Sequence, residues 1–187
     1  YRRNVLVNQE PIDYYFLEKK YGHMLKYRRN VLQINSGYGN FIELGEIAGV
    51  SRTDWSWSAL WGDYDNDGWK DLFIGNGMKR NVGHMDYEKL MYTEGDKPEY
   101  KRSKASLIEK MPRYLLSNYV LKNNQGQTFS PAMKEWGVDQ LVNTQGAAYA
   151  DLNNDGHLDL LLNNVDTTAL IYQNMRSEER RVGKECR

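Results

Sequence analysis

The amino-acid sequence predicts a mainly β fold built from two copies of one unit, and three observations support this fold class. One acidic pattern of nine residues occurs twice, with glycine at the same position in both copies. Short apolar runs of the length of a buried strand flank each acidic pattern. A constant step of 88 residues relates the two copies and much of the sequence around them.

Each acidic pattern predicts a calcium-binding loop, because oxygen-bearing side chains stand at positions one, three, five and nine. Glycine at position six permits the positive φ that a sharp turn around an ion requires. The backbone carbonyl of position seven would add a further ligand. In the first loop the candidate ligands are Asp63, Asp65, Asp67, Trp69 and Asp71. In the second loop they are Asp151, Asn153, Asp155, His157 and Asp159.

Charge predicts which loop holds its ion more tightly. Carboxylates this close in sequence repel one another unless a cation lies between them, which favours calcium over a turn that binds nothing. Asn153 stands where the first loop has Asp65, and an amide oxygen is a ligand without a charge. We therefore expect the first loop to bind calcium more tightly than the second. A filled shell of oxygen ligands leaves no open position for chemistry, so we expect the role of both ions to be structural.

The residues after each loop argue against an EF-hand or a dockerin-like module. An EF-hand closes its site with a glutamate at position twelve and continues into a helix. Position twelve is Ile74 in the first loop and Leu162 in the second, and neither side chain binds a metal. The runs 72–74 and 160–162 instead predict buried strands, as do residues 59–61 and 147–149 before the loops. Each loop is therefore predicted to join two strands of a hairpin.

The 88-residue step extends beyond the loops without a gap. It relates Asn30 to Asn118, Phe41 to Phe129, Gly49 to Gly137, Ala59 to Ala147 and Asn76 to Asn164. Between the copies, residues 79–117 differ in composition and predict a mostly helical insert. Without this insert of 39 residues, 49 residues make up each unit, close to the ~40–50 residues of a propeller blade. The fold class is thus a partial β-propeller of about two blades with helical inserts.

Five segments follow from this interpretation. Residues 1–29 resemble the insert and are assigned to a helical insert of a preceding blade, and residues 79–117 form the second insert. Residues 30–78 and 118–175 are the two blade units, each with a calcium loop. Residues 176–187 resemble the translation of a common sequencing adapter, so we expect a non-native tail and exclude it from the fold prediction.

The blade sequences also resemble a known family. The residues that carry the resemblance are 54–60, the first acidic loop with residues 71–73, and residues 123–129 and 146–156. This combination is similar to bacterial FG-GAP/VCBS repeat proteins of the type that carries an ASPIC/UnbV domain. The resemblance covers about residues 3–174. It implies an integrin-α-like β-propeller, typically with seven blades, with calcium in the blade loops and an exported, extracellular or cell-surface location. We expect the chain to be a fragment of such a propeller.

Composition narrows the range of partners. The chain has 25 basic and 25 acidic residues, and 20 basic and 22 acidic residues remain without the tail. This near-neutral charge does not favour a nucleic-acid-binding protein. The single cysteine, Cys186, lies in the tail. No apolar stretch of 18 residues exists, so the sequence predicts no membrane span in this fragment. Scattered histidines and the absence of a Gly-x-Ser-x-Gly motif leave no catalytic constellation.

The sequence is compatible with two functions. The leading prediction is a binding or adhesion scaffold, not an enzyme, that contacts protein or carbohydrate at the cell surface. The alternative is a non-catalytic part of an extracellular polysaccharide-active enzyme. Tryptophans in and around the first loop could stack on sugars, although we favour packing for them: Trp55, Trp57, Trp61 and Trp69.

Overall fold

A computed structural model describes residues 20–22, 29–80, 84–94 and 108–175. The described part is mainly β, as the sequence predicts. Its strands are β1 (Gln33–Gly37), β2 (Asn40–Glu43), β3 (Ser56–Gly62), β4 (Asp71–Asn76), β5 (Tyr119–Asn124), β6 (Thr128–Pro131), β7 (Thr144–Ala150), β8 (Asp159–Asn164) and β9 (Leu170–Tyr172). A helix, α1 (Met85–Glu94), lies in the predicted insert between β4 and β5.

The described strands form three antiparallel sheets. β1 and β2 make a hairpin, β3 to β6 form a four-stranded sheet in sequence order, and β7 to β9 form a three-stranded sheet in sequence order. The strands predicted on either side of each acidic loop are β3 and β4, and β7 and β8. The hairpin prediction is therefore confirmed, and no helix follows either loop as an EF-hand would require.

The 88-residue step is visible in the strand boundaries. β2 and β6 begin 88 residues apart, as do β3 and β7, and β4 and β8. The turn after β2 also recurs, because Ala48 donates its N–H to Leu44 and Trp136 donates to Ala132 in the same way. The sequence repeat is thus a repeat of local structure, strand by strand.

The sheets and the sequence units have different boundaries. Predicted unit 30–78 contributes β3 and β4 to the four-stranded sheet, whereas β5 and β6 of that sheet come from unit 118–175. β4 pairs directly with β5, with Phe73 opposite Val120, although residues 79–117 separate them in sequence. Each sequence unit therefore contributes strands to two sheets, because β4 and β5 pair with each other although the long insert lies between them in sequence.

Apolar clusters lie on both faces of the four-stranded sheet. Side chains alternate along a strand, so β4 directs Phe73 to one face and Leu72 and Ile74 to the other. The first cluster joins this sheet to the three-stranded sheet through Tyr64, Phe73, Val120, Val138, Leu160 and Leu162. The second contains Ala48, Val50, Leu72, Ile74 and Leu121. Face-to-face packing of successive antiparallel sheets is the arrangement of a partial β-propeller.

Buried hydrogen bonds also join the two larger sheets. Asn118 donates from Nδ2 to Thr144 Oγ1 at 2.9 Å, and Thr144 donates onward to Asn164 Oδ1 at 2.6 Å. Asn118 Oδ1 accepts the backbone N–H of Asn76 at 2.9 Å. A similar set lies 88 residues earlier, with one more hydroxyl group: Asn30, Thr53, Ser56 and Asn76. Since a buried polar group without a partner is costly, these bonds specify how the sheets pack.

Parts of the predicted inserts lie outside the described residues. These parts are residues 1–19, 23–28, 81–83 and 95–107, and the proposed tail 176–187 also lies outside. In the described part of the chain, no helix is both long enough and apolar enough to cross a membrane.

Candidate metal-binding loops

The two acidic loops occupy equivalent places in two hairpins. The first joins β3 to β4, where Gly62 pairs with Asp71, and the second joins β7 to β8, where Ala150 pairs with Asp159. The last predicted ligand of each loop is therefore the first residue of the returning strand. Strand pairing holds the two ends of each loop together and brings positions one and nine to the same site.

The first aspartate of each loop fixes the turn. Asp63 accepts the backbone N–H of Asp67 on Oδ1 at 3.0 Å and that of Gly68 on Oδ2 at 2.9 Å. Asp151 accepts the N–H groups four and five residues further on, at the same two distances. The glycine at position six has φ of 91° in the first loop and 84° in the second, which L side chains rarely adopt. Both loops therefore have the same backbone shape.

The last aspartate of each loop is buried and accepts two backbone N–H groups. Asp71 accepts from Tyr64 at 3.1 Å and from Asn123 at 2.8 Å. Asp159 accepts from Leu152 at 3.0 Å and from Asn174 at 2.8 Å. The exposed fraction of either aspartate is at most 1%. In each case one bond comes from the loop itself and the other from a residue at the end of the next strand or just beyond it, so this carboxylate ties the loop to its sheet.

Three carboxylates of the first loop converge. One oxygen from each of Asp63, Asp65 and Asp71 lies within 4.8 Å of the others. Two oxygens on opposite sides of one calcium ion are about 4.6–5.2 Å apart, since each binds at about 2.3–2.6 Å. The donor set and its spacing therefore fit a hard divalent cation. Asp67 lies outside this group of three, and its Oδ1 accepts the N–H of Trp69 at 2.9 Å.

The convergence has an electrostatic cost. The pKa of Asp71 is raised to about 6, mainly by burial; the charges of Asp65 and Asp67 contribute to this rise, and the N–H groups of Asn123 and Tyr64 act in the opposite direction. Crowded, buried carboxylates resist ionisation unless a cation compensates them. The first loop is thus a site where a cation gains a large interaction.

The second loop is more exposed and less charged. Asn153 is exposed, whereas Asp65 at the same position is buried. Asn153 donates to Asp155 Oδ2 at 2.7 Å, and Asp155 Oδ1 accepts the N–H of His157 at 2.9 Å. These bonds, that of Asn153 first, hold the pKa of Asp155 below its usual range. These bonds thus favour the ionised carboxylate of Asp155.

A lysine from the next strand reaches into the first loop. Lys122 on β5 donates from Nζ to Asp65 and, at 2.9 Å, to Asp67. Burial alone would lower the pKa of Lys122, but the hydrogen bonds and charges of these two aspartates raise it above its ordinary value. The ammonium group is therefore charged in the folded protein, beside carboxylates that were predicted as calcium ligands.

The two loops touch each other. Asn66, at position four of the first loop, lies in hydrogen-bond contact with the ring Nδ1 of His157, at position seven of the second. The two loops share the same turn geometry at position four, where Asn66 and its equivalent Asn154 have φ of 51° and 60°. The candidate sites thus lie side by side along one rim of the packed sheets.

Sequence reasoning missed three residues around the loops. Asn123 and Asn174 not only donate N–H groups to the buried aspartates; their side chains also bind backbone carbonyls, those of Lys70 and Tyr64. The signal for them was an asparagine at the end of, or just beyond, the strand that follows each hairpin, β5 and β9. Lys122 carried no such signal, because the 88-residue step relates it to Ile34.

The tryptophans around the first loop differ in environment. Trp57 and Trp61 lie on β3, the edge strand of the four-stranded sheet, with exposed fractions of 52% and 38%. Trp57 donates to the Gly77 carbonyl at 2.6 Å, and Trp61 makes an edge contact with Phe129. These two side chains lie outside the buried clusters and stay partly exposed on the strand at the edge of the sheet. Trp69 lies over the β5–β6 turn, close to Gly126.

Comparison with known families adds one match. A family model described as an FG-GAP-like repeat matches residues 13–74, which include the first acidic loop and most of β4. No curated protein and no solved structure matches the chain. The match supports an FG-GAP repeat protein, in agreement with the mainly β fold and the repeated hairpins.

Proposed function

We propose that this chain is part of a calcium-binding β-propeller that serves as a binding or adhesion scaffold. The observation that carries the proposal is the pair of acidic loops with the same backbone hydrogen bonds, one of which brings three carboxylates within 4.8 Å. The FG-GAP-like match over residues 13–74 supports the scaffold role. The ligand sets of this proposal are those predicted for the two loops.

Calcium has a structural role in this proposal. An ion bound by oxygens from positions one, three, five and nine would join both ends of the loop and offset the repulsion between its carboxylates. A shell filled by oxygen ligands leaves no open position for a reacting group, so the loops themselves do no chemistry. We therefore propose a non-enzymatic role for this part of the protein.

The proposed setting is the outside of a bacterial cell, with a protein or carbohydrate as partner. The resemblance to exported FG-GAP/VCBS proteins of the ASPIC/UnbV type supports this location. Trp57 offers an exposed indole on the open edge of the four-stranded sheet, and aromatic rings are favoured in both protein and sugar contacts. The same exposed ring favours a second candidate, a non-catalytic part of an extracellular polysaccharide-active enzyme.

Calcium-dependent stability tests the proposal. Unfolding of the 187-residue chain in urea should shift to higher denaturant with calcium. The stabilisation should be about 2.7 kcal/mol per site at a free concentration one hundred times Kd, because calcium binds the folded state. Isothermal titration calorimetry should report two sites. The double variant D151N/D155N, which keeps the loop length, should lose one of them.

The control is magnesium at the same concentration, which demands near-ideal octahedral geometry at a shorter distance and should stabilise the chain less. A chain whose unfolding midpoint and calorimetric titration are the same in calcium and in chelator would refute the proposal.

A further inference from the structure

The first loop contains a cation that belongs to the chain itself. The ammonium group of Lys122 lies within ion-pair distance of two carboxylates, those of Asp65 and Asp67, and the second of these contacts measures 2.9 Å. The side chain of Lys122 is about one-third exposed, whereas that of Asp65 is only 3% exposed. The lysine therefore approaches from the solvent side and covers a buried acid.

Strand register holds the lysine in this position. Leu121 pairs with Leu72, and the N–H of Asn123 is bound by Asp71, so β5 runs directly beside the end of the loop. Lys122 lies between these two anchored residues. Its side chain is thus directed to the loop by backbone pairing and not by a flexible segment.

The second loop has no lysine at the equivalent place. Asn174 occupies the position of Asn123, because each donates its backbone N–H to the buried last aspartate of a loop at 2.8 Å. Each of these asparagines also contacts the carbonyl of the residue before that aspartate, Lys70 or Leu158. The residue before Asn174 is Gln173, which is neutral. The two loops therefore differ in the charge supplied by the neighbouring strand.

We infer that Lys122 sets the cation affinity of the first loop, and that the second loop binds calcium more tightly in spite of its smaller number of carboxylates. This inference rests on the proposed calcium function. A divalent ion entering the first loop must displace the ammonium from Asp65 and Asp67, and must break two charge-assisted hydrogen bonds to do so. A displaced ammonium that stays nearby also repels the ion.

The inference reverses the order expected from carboxylate count. The first loop has four carboxylates, and Lys122 on β5 supplies a counter-charge to two of them, so its hairpin depends less on calcium. The second loop has three carboxylates, and Asp155 accepts a hydrogen bond from the neutral amide of Asn153 rather than from an ammonium group. Calcium removal should therefore loosen the second hairpin before the first.

The experiment isolates each loop of the full 187-residue chain. D151N/D155N disables the second loop, and calcium affinity of the first loop is then measured by calorimetry with and without K122Q. We expect K122Q to tighten calcium binding about tenfold, because one competing positive charge is removed. K122R, which keeps the charge, is the matched control and should leave the affinity weak.

The reciprocal variant tests the same idea without touching Lys122. In a chain whose first loop is disabled by D63N/D65N, Q173K should weaken calcium binding at the second loop about tenfold, for the same electrostatic reason.

A second readout for K122Q is urea unfolding in chelator. K122Q should lower the unfolding midpoint of the chain, and calcium should restore it.

The outcomes separate this inference from the proposed function. Unchanged or weaker calcium binding in K122Q, together with an unaffected second loop in Q173K, overturns the role of Lys122 but leaves calcium binding in place. Failure of both loops to bind calcium in every variant overturns the inference and the proposed function together. Tighter binding in K122Q and weaker binding in Q173K support the inference.

Discussion

The two acidic loops have the same backbone but different electrostatics. In both, the first aspartate accepts N–H groups four and five residues further on, and the last aspartate is buried between the loop and the next strand. Lys122 approaches the first loop, whereas the neutral Gln173 holds the equivalent place next to the second. Loop shape and loop charge are therefore set by different parts of the chain.

Removing the buried aspartate should have the largest effect, and the effect should be similar in both loops. D71A and D159A each leave two backbone N–H groups without their carboxylate partner, at a cost of about 2–4 kcal/mol. Urea unfolding in chelator measures this cost apart from calcium binding. D71N and D159N, which keep one acceptor oxygen, are the controls and should lose less. A much smaller loss of stability at one of the two aspartates would contradict the prediction that both stabilise their loops in the same way.

Replacing the glycine at position six should have an intermediate effect. Gly68 and Gly156 have positive φ and open space around the position of a Cβ atom, so the cost of alanine is conformational strain alone. G68A and G156A should each destabilise the chain by about 1–2 kcal/mol, measured as a shift of the unfolding midpoint in chelator. G68N provides a control, because asparagine tolerates this region better and should cost less. A neutral G68A beside a costly G156A would contradict the shared backbone.

Removing the side-chain contact between the two loops should have the smallest effect on stability. Asn66 and His157 are in contact at the surface, where one polar contact contributes little, so H157A should change the free energy of unfolding by less than about 0.5 kcal/mol. Asn154, the equivalent of Asn66, makes a matched control variant as N154A. A loss above 1 kcal/mol in H157A alone would indicate that the loops stabilise each other, and calorimetry of H157A would then show whether their calcium affinities are coupled.

Much of the local structure could be predicted from the sequence. The strands β3, β4, β7 and β8 were predicted from apolar runs, and the hairpin loops from their acidic pattern and glycines. The equivalence of the two hairpins was predicted from the 88-residue step. These predictions succeed because a strand and a tight turn depend on residues only a few positions apart.

The sheet boundaries could not be predicted in the same way. The four-stranded sheet joins β4 to β5 across residues 79–117, so each sequence unit is divided between two sheets. A repeat in sequence reports which residues are equivalent but not which strands pair. Trp57 is a similar case, because the sequence could not indicate that its strand is the open edge of a sheet.

The sequence by itself determined the two loops and their turns, because their fixing hydrogen bonds join residues four or five positions apart. Only the tertiary structure decided that a lysine lies beside the first loop and a neutral glutamine at the equivalent place of the second. Lys122 is 57 residues from Asp65, and it reaches that carboxylate because β5 pairs with β4 in one register. Charge–charge interactions depend on distance in space, and pairing between strands far apart in sequence sets that distance here.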